Sequence, residues 1–380
     1  MKILIIRNVP SYMDVKHSTY NLQEVGLAKA LIRKGNVCNI VFWTNNEEVN
    51  EQILFDNEKK SITIFYRQSI TILKNAIYKN LDHLISQYDV IQPCEYNQLQ
   101  SWILAKKYPE KTVIYHGPYY SQFNKKYNLM CKFVDLFVLP TYKKKNTCFL
   151  VKSNLAKKFL IQKGIPAKNV TVSGVGIDLD VFSENISDNL PEEVIEIDKF
   201  NNCLKLLYIG RLEPRRNIPF LLDVLKNVNN KGIQAILIIV GNGDEEYTKR
   251  CFDLSEKLNI NSKIHWIKKL EQKYLSFVYQ RTNIFLLPTY YEIFGMVLLE
   301  AMFFGKPVIT TLNGGSDILI KKDDDGIVLD KFAAEKWADV IVTLKDNTRI
   351  GSRAHQKIRD NFTWDSLCDA FISVYSSRIK

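Results

Sequence analysis

Two glutamates, with seven residues between them, bracket a glycine near the predicted start of a helix. Glu292 precedes Gly295, and Glu300 lies inside the helix that begins at Met296. Backbone N–H groups near Phe294, Gly295 and Met296 can hold an anion at the positive end of that helix. Because eight residues rise about 12 Å along a helix, the two carboxylates can contact separate parts of one extended polar ligand.

A second group of polar residues follows a predicted strand at Lys205–Ile209. Gly210 lets the chain turn. Arg211 follows it directly, and Arg216 comes five positions later. Each guanidinium can offer two parallel N–H donors to phosphate oxygens, which suits a diphosphate that leaves during a reaction. Loops at the carboxyl ends of strands are where α/β sheets bind ligands. Two arginines alone are more often a surface feature, so the glutamate motif is the more specific signal.

Short aliphatic runs alternate with amphipathic stretches along the whole chain, which predicts an α/β fold with parallel sheets. In the first half we expect a helix from about Asn21 to Lys34 and eight strands: Lys2–Arg7, Asn39–Trp43, Ile62–Tyr66, Val90–Gln92, Thr112–His116, Leu136–Leu139, Cys148–Leu150 and Val170–Ser173.

The periodicity lapses in an acidic stretch and then restarts, which predicts two Rossmann-like domains facing a cleft. The expected boundaries are a first domain over 1–180, a linker over 181–203, a second domain over 204–360 and a final helix over 361–380 that packs back on the first domain. In the second domain we expect strands at Lys205–Ile209, Ala235–Val240, Ile264–Trp266, Ile284–Leu287 and Pro307–Thr310, alternating with helices Pro219–Asn229, Asp244–Leu258, Leu270–Gln280 and Met296–Phe304.

Composition excludes several classes of protein. The chain has 380 residues, 46% of them hydrophobic and 24% charged, which is ordinary for a globular protein and unlike a disordered or fibrous one. No apolar run approaches the roughly 18 residues that cross a bilayer. The seven scattered cysteines form no Cys-x-x-Cys pair, so we expect a reducing cytoplasm and no structural zinc.

The net charge of +11 is concentrated in one region. Residues 101–170 contain 14 lysines and only two acidic residues, with aromatic residues between the lysines. Three functions fit such a region: binding of nucleic acid, of an anionic lipid surface or of a phosphorylated substrate. A solvated lysine-rich face is the alternative without function.

The motifs together resemble the retaining nucleotide-sugar glycosyltransferases of family 4, which have the GT-B fold. The resemblance rests on Glu-x7-Glu followed by Gly305-Lys306-Pro307-Val308, and on Gly210-Arg211-Leu212 with a basic residue five positions after the arginine. Gly241-Asn242-Gly243 and Gly174-Val175-Gly176-Ile177-Asp178 also agree in order and spacing. One departure is Asn8-Val9-Pro10-Ser11-Tyr12-Met13-Asp14, where relatives often have a Gly-Gly loop.

The resemblance implies roles for individual residues. Arg211 and Arg216 would bind the donor diphosphate, Glu292 the hydroxyls of the transferred sugar and Glu300 the ribose. His116, which ends a strand of the first domain, would lie near the donor sugar and the acceptor. The predicted catalytic residues are therefore Glu292, His116, Arg211 and Arg216. The predicted donor-binding residues are Arg211, Arg216, Phe294, Gly295, Met296, Glu300, Gly241 and Gly243.

The resemblance also implies the reaction and its setting. A sugar would pass, with retention of configuration, from a nucleoside diphosphate sugar, with a UDP-sugar the best expectation, to a glycan or polyprenyl-linked acceptor held by the first domain. We expect no metal and no cofactor beyond this co-substrate, since the cations and the helix amides can stabilise the leaving phosphate. The predicted setting is bacterial surface-polysaccharide synthesis in the cytoplasm, with peripheral contact between the basic region 101–170 and anionic lipid.

Two other classes of protein remain open at this point. A sugar-nucleotide epimerase shares the fold and the ligand, but Gly-Arg-Leu together with Glu-x7-Glu favours transfer. A nucleic-acid-binding protein would use the basic region, yet it would leave the charged motifs of the second domain without a purpose. We therefore expect no nucleic-acid partner.

Overall fold

The computed structural model describes residues 1–15, 22–72, 74–182, 190–321, 324–329 and 331–379. Two sequence predictions lie partly outside these ranges, at Asn21, the predicted start of the first helix, and at residues 183–189 of the predicted linker. No helix within the described ranges combines the length and the apolar character needed to cross a membrane.

The described residues alternate between strands and helices. The strands are β1 (Lys2–Ile6), β2 (Val37–Trp43), β3 (Val49–Phe55), β4 (Lys60–Arg67), β5 (Ser69–Ile72), β6 (Asn75–Tyr78), β7 (Val90–Pro93), β8 (Val113–His116), β9 (Cys148–Val151), β10 (Val170–Val172), β11 (Leu204–Ile209), β12 (Ala235–Val240), β13 (Ile264–Ile267), β14 (Ile284–Leu287), β15 (Val308–Thr310) and β16 (Ile327–Val328). The helices are α1 (Gln23–Arg33), α2 (Asp82–Ser86), α3 (Leu99–Lys107), α4 (Lys125–Lys144), α5 (Asn154–Gln162), α6 (Glu192–Ile195), α7 (Ile218–Asn230), α8 (Glu245–Lys257), α9 (Leu275–Arg281), α10 (Met296–Phe303), α11 (Ser316–Leu319), α12 (Ala334–Leu344), α13 (Thr348–Asn361) and α14 (Trp364–Ser376).

The chain divides into two compact units. Unit 1 comprises Met1–Asp178 and Phe362–Lys380, and unit 2 comprises Leu179–Asn361. The predicted linker, 181–203, therefore falls within unit 2. Its acidic residues near α6 contact solvent, whereas Val194 and Ile197 are fully buried, so this segment packs against unit 2.

Unit 1 contains two mainly parallel sheets. Their strand orders are β3-β4-β2-β1-β7 and β10-β9-β8, and isolated parallel bridges join β7 to β8. The antiparallel edge strand β3 and the β5–β6 hairpin were not predicted. Most β3 side chains are at least partly exposed, so its sequence lacks the aliphatic run that marks a buried parallel strand.

The strand predicted at Leu136–Leu139 is wrong, because these residues lie within α4. A short aliphatic run cannot by itself distinguish a strand from a helix. Cys131, Val138 and Tyr142 are the buried residues of α4, at helical spacing, whereas Leu136 is 71% exposed. The helix therefore buries one face and exposes the apolar residues that resembled a strand.

The last helix, α14, belongs to unit 1. Thr363 caps it, and Ile177 pairs with Thr363 in a parallel bridge. Trp364, 3% exposed, packs so closely on Gly26 that a Cβ added at this glycine would lie 2.3 Å from the indole ring. The chain end therefore completes the core of unit 1.

Unit 2 is built on one parallel sheet with the strand order β13-β12-β11-β14-β15-β16. All six residues of β12 are buried, as expected for a strand covered on both faces. Because β11, β12 and β14 are parallel, their carboxyl ends meet at one edge of the sheet. The loops that carry the predicted site residues of unit 2 begin at this edge.

Candidate active site

The loops that follow β11 and β12 are held together by their backbones. Leu212 N donates to Asn242 O at 2.9 Å, and Leu212 and Gly243 form a parallel bridge. A Cβ at Gly243 would lie 1.8 Å from Leu212 O, and one at Gly241 would lie 2.2 Å from Gly210 O. Both predicted glycines therefore permit this close approach, and their contact with a phosphate stays a prediction.

A short 3₁₀ turn, Pro214–Arg216, presents two arginines to one glutamate. Arg215 Nη1 lies 3.0 Å from Glu292 Oε2, and Arg216 Nη2 pairs with the same oxygen. Thr289 Oγ1 and Tyr290 N donate to Arg215 O at 3.1 and 2.8 Å, so the loop after β14 fixes the turn. The structure thus brings together two predicted site residues, Arg216 and Glu292, which lie 76 positions apart in the sequence.

Arg216 retains donors that no described residue satisfies. The residue is 8% exposed, and its Nε and Nη1 atoms are buried without a hydrogen-bond partner in the described part of the chain. Nε lies 4.0 Å from Glu213 Oε1, within ion-pair range but beyond hydrogen-bond distance. Leaving buried charged donors unpaired costs free energy, and native structures seldom tolerate it without a bound partner. A guanidinium that keeps two open N–H groups beside a structured loop is suited to binding an anion.

Arg211 occupies a different environment from Arg216. Its carbonyl accepts a hydrogen bond from the Tyr208 hydroxyl at 3.0 Å, which fixes the backbone. Its side chain is exposed and forms no ion pair or hydrogen bond with the residues that the structure describes. The compact charged cluster therefore consists of Arg215, Arg216 and Glu292 together with Glu213, which pairs with Arg215 at 2.7 Å, and Arg211 lies outside it.

The amino end of α10 provides a second set of donors near Glu292. Gly295 caps the helix with a left-handed φ of 81°, and Met296 is its first residue. Gly314 N donates to Glu292 O at 3.1 Å, and a Cβ at Gly314 would lie 1.9 Å from Ile293 O. The glycine loop at 314–315 therefore holds the Glu292–Phe294 backbone in place beside the positive end of the helix.

Glu300 is buried within α10 and is held by two donors. Gln272 Nε2 donates to Oε1 at 3.0 Å, and the Tyr279 hydroxyl donates to Oε2 at 3.1 Å. Burial raises the pKa of Glu300 to about 7, although both hydrogen bonds oppose the rise. The carboxyl is thus held in a fixed orientation and changes charge near neutral pH.

His116 lies at the end of β8 in unit 1 and is fully buried. Its Nδ1 is 2.7 Å from Glu95 Oε2, and its ring stacks on Phe159 at 5.6 Å. Because a carboxylate only accepts, the Nδ1 that faces Glu95 carries a proton, and in a ring with a single proton Nε2 is the acceptor. Nε2 is buried without a partner among the described residues.

Glu95 is held in an unusual backbone conformation. Its φ is 64°, and its carboxylate also accepts from Gly117 N at 3.1 Å. Burial raises the pKa of Glu95, but the hydrogen bonds from His116 and Gly117 N and the positive charges of His116 and Lys152 together outweigh it, so the pKa lies below its usual value. An ionised Glu95 therefore orients His116 through Nδ1.

A cavity of about 370 Å³ opens near these residues, at the carboxyl ends of β1 and β7. Arg7, Glu24, Glu95 and Lys152 supply its charged lining. Arg7 Nη1 pairs with Glu24 at 2.9 Å, whereas its Nε is buried without a partner within the described ranges. The cavity therefore combines carboxylates with cationic donors, which suits a polar ligand.

Sequence reasoning missed Arg215, Glu95, Tyr279 and Gln272. Arg215 stands beside Arg216 and could have been included on charge alone. Glu95 follows β7, the neighbour of β8, so the rule that carboxyl ends of parallel strands meet could have paired it with His116. Tyr279 and Gln272 carried no sequence signal, because only the packing of α9 and of the 3₁₀ turn before it, Gln272–Tyr274, against α10 reveals them.

No group of three His, Cys, Asp or Glu side chains among the described residues is placed to hold a metal ion. The carboxylate of Asp325 accepts a hydrogen bond from Lys321 N at 2.6 Å and pairs with Lys357 at 2.8 Å.

Residues 192–361 match the family described as Glycosyl transferases group 1. A curated relative, the D-inositol 3-phosphate glycosyltransferase of Corynebacterium efficiens, is 27% identical over 177 residues, which are 44% of this chain and 42% of that protein. The chain spans about half the length of the first curated relatives it matches.

Solved structures match over nearly the whole chain. Anabaena HepE in complex with UDP has a TM-score of 0.72 at 15% identity, covering 99% of this chain and 100% of that one. The sucrose-phosphate synthase of Thermosynechococcus elongatus has a TM-score of 0.73 at 17% identity, covering 99% of both chains. The fold is therefore the GT-B-like α/β fold, as the sequence predicted.

Proposed function

We propose that this chain, in which residues 192–361 form a glycosyl transferases group 1 domain, moves a sugar from a nucleoside diphosphate sugar to an acceptor hydroxyl. The observation that carries the proposal is Arg216, buried beside Glu292 with two N–H groups left open. These donors lie within the segment that matches the family. We expect the donor to be a UDP-sugar, and the structural neighbour HepE, which was solved with UDP, supports this expectation.

The reaction breaks the bond between the anomeric carbon and the donor phosphate oxygen. The nucleoside diphosphate leaves with the electron pair, and negative charge grows on its phosphate as positive charge grows on the sugar. Arg216, Arg215 and Arg211, together with the amides at Phe294, Gly295 and Met296, would stabilise that phosphate more in the transition state than before it. This stabilisation requires no metal ion.

The two glutamates would position the donor. Glu292, held by Arg215 and Arg216, is suited to accepting hydrogen bonds from the hydroxyls of the transferred sugar. Glu300, oriented by Tyr279 and Gln272, is suited to the ribose hydroxyls. We further propose retention of configuration, in which the acceptor oxygen bonds to the anomeric carbon on the face that the phosphate leaves and the phosphate takes the acceptor proton.

Unit 1 would bind the acceptor, which we take to be a glycan or a lipid-linked glycan. His116 Nε2 is an open, buried hydrogen-bond acceptor, so it can hold a substrate hydroxyl while Glu95 fixes the ring. Glu95 also lines the cavity, together with Arg7, Glu24 and Lys152. Its carboxylates suit sugar hydroxyls.

A phosphorylated polyol is the second candidate acceptor. Arg7, with its open Nε, and Lys152 offer cationic donors in the cavity. The curated relatives named as D-inositol 3-phosphate glycosyltransferases favour the same chemistry.

A nucleotide panel tests the donor site. Thermal unfolding of the whole protein is measured with UDP, GDP, ADP and their sugars, with and without magnesium, because a ligand that binds only the folded state raises its stability. We expect the nucleotides of one base to raise the melting temperature of the protein without magnesium. No shift with any nucleotide would contradict the proposal.

A product assay then separates the remaining functions. The donor that binds is incubated with glycan acceptors, phosphorylated polyols or no acceptor, and the products are identified by mass and by anomeric configuration. We expect transfer with retention to one acceptor class. Conversion of the donor sugar to its epimer without an acceptor would instead establish an epimerase.

A further inference from the structure

The outward face of α4 is apolar, the reverse of an ordinary surface helix. The α4 apolar stripe consists of five exposed side chains, and three of them, Phe133, Leu136 and Phe137, are 65–71% exposed. Cys131, Val138 and Tyr142 are buried on the opposite face, so the helix is anchored in unit 1 by its other side. The members of the stripe are Leu129, Met130, Phe133, Leu136 and Phe137.

Lysines surround the stripe on the same helix. Lys125 and Lys126 precede it, Lys143, Lys144 and Lys145 follow it, and all five are exposed. Lys132 lies within its length and is exposed as well. The one acidic residue between positions 125 and 145 is Asp135.

Asp135 does not neutralise the outward lysines. Its carboxylate pairs with the nearly buried Lys163 and accepts a hydrogen bond from the Tyr96 hydroxyl at 3.2 Å. The exposed surface of α4 therefore joins a continuous apolar patch to cationic groups at both ends.

We propose that α4 lies flat in the surface of an anionic lipid bilayer, with the stripe inserted at the boundary between headgroups and acyl chains. An interfacial helix of this kind gains binding from its buried apolar area and from attraction between lysines and anionic lipids. The stripe from Leu129 to Phe137 spans about 12 Å, and lysines lie beyond both of its ends. A helix parallel to the bilayer surface can therefore insert the apolar side chains while its lysines contact the anionic headgroups. None of the described helices is suited to crossing the membrane.

Charge disfavours a second copy of the chain as the partner of this face. In an antiparallel pairing of two α4 helices, Lys125 and Lys126 would meet Lys143–Lys145 of the other copy. In a parallel pairing, each cluster would meet itself. Both arrangements bring like charges together beside an apolar contact, and such juxtaposition is unfavourable.

Vesicle flotation with the full chain tests the proposal. One set of vesicles contains phosphatidylcholine alone, and the other includes phosphatidylglycerol as the anionic lipid. The stripe variant carries Phe133→Ser, Leu136→Ser and Phe137→Ser. The matched control carries Leu54→Ser, Ile70→Ser and Ile72→Ser, three exposed apolar residues of the same unit.

At low salt we expect the wild-type protein to prefer anionic vesicles by about tenfold or more, and the stripe variant to lose about as much. The control should bind like wild type. A variant with Lys143→Gln, Lys144→Gln and Lys145→Gln should bind more weakly and show less dependence on salt. A Leu136→Trp reporter should shift its emission to the blue on binding, because its ring leaves water.

The remaining outcomes would overturn the proposal. These are no binding of wild type to anionic vesicles, equal binding of the stripe variant and the control, and equal binding to both kinds of vesicle. A wild-type dimer in sedimentation velocity that the stripe variant converts to a monomer would assign the face to a second copy. Nucleotide binding and thermal unfolding of the stripe variant verify its fold and keep this result separate from the proposed transfer activity.

Discussion

Two arginines share one carboxylate in the charged cluster, and this arrangement is the basis of the proposed donor site at the level of single residues. Glu292 holds Arg215 and Arg216 in place, whereas Arg216 keeps Nε and Nη1 open. A charged donor already fixed by packing loses little freedom when a ligand arrives, so it stabilises developing charge effectively. The consequences of this arrangement can be tested residue by residue.

Removing a cationic donor or the shared carboxylate should impair turnover more than stability. We expect Arg216→Ala, Arg211→Ala and Glu292→Gln each to lower kcat by about 100-fold or more, because the leaving phosphate or the sugar loses its partner. Steady-state kinetics measures the effect, and circular dichroism verifies the fold. Arg250→Ala, on the exposed face of α8, is the matched control. Near-normal turnover in all three variants would reject the assignment.

Glu300 should make stability depend on pH. Its pKa is about 7 in the folded chain against 4.5 for a free side chain, so the folded state binds more protons between these values and stability falls as the pH rises through them. The loss could reach about 3 kcal/mol for a shift of this size. Urea unfolding across this pH range should show a flatter profile for Glu300→Gln than for wild type. Glu271→Gln, at an exposed position, should keep the wild-type slope, and an unchanged slope in Glu300→Gln would contradict the prediction.

At the level of elements, the site depends on loops that approach each other without side chains between them. The β11 and β12 loops meet at Leu212 and Gly243, and the 314–315 loop supports the backbone before α10. Glycines at these points allow backbone contacts that any Cβ would prevent. The loops therefore act as one preformed surface at the edge of the unit 2 sheet.

Gly243→Ala should separate the two loops and weaken nucleotide binding. Since the new Cβ would lie 1.8 Å from Leu212 O, we expect the Kd for the nucleotide that binds to rise about tenfold or more. Isothermal titration calorimetry measures the change. Gly232→Ala, at a turn with no heavy atom within 4 Å of the added Cβ, should leave the Kd unchanged although it strains the backbone. Equal affinities of both variants would show that the close approach is dispensable.

For the whole molecule, the chain runs through unit 1, then unit 2, and returns to unit 1 for its last helix. The buried residues of the last helix in unit 1 include Trp364, Phe371 and Tyr375. The Tyr375 hydroxyl hydrogen-bonds to Gln92 of β7, the strand that pairs with β1. The core of unit 1 therefore contains residues from both the first and the last segments of the chain.

Trp364→Ala should destabilise unit 1 by about 3–5 kcal/mol, since it leaves a cavity where the indole ring packs on Gly26 and Gly176. Urea unfolding followed by tyrosine fluorescence measures the loss. Ile379→Ala, at a 41% exposed position near the same end, should cost far less. If the two variants were equally stable, the last helix would be dispensable for the core of unit 1.

The sequence by itself determined the fold class and most elements of unit 2. The strand at Ala235–Val240 was predicted with its exact bounds, because six consecutive aliphatic residues between polar loops indicate a strand buried on both faces. The Glu-x7-Glu motif placed Glu292 before a helix and Glu300 inside it, because helix geometry fixes their spacing locally. Local sequence patterns suffice to predict those features of the structure that local geometry and local hydrophobicity determine.

Only the tertiary structure decided which side chains meet and which face water. Nothing in the sequence near Glu300 indicates Tyr279 or Gln272, and nothing near Glu292 indicates that Arg215 shares its oxygen, because these contacts join separate loops and helices. Leu136–Leu139 resembles a buried strand, yet the structure makes it part of a helix and leaves Leu136 exposed. The burial of a side chain depends on the packing of the whole unit, so a short run of apolar residues does not predict whether those residues are buried or exposed.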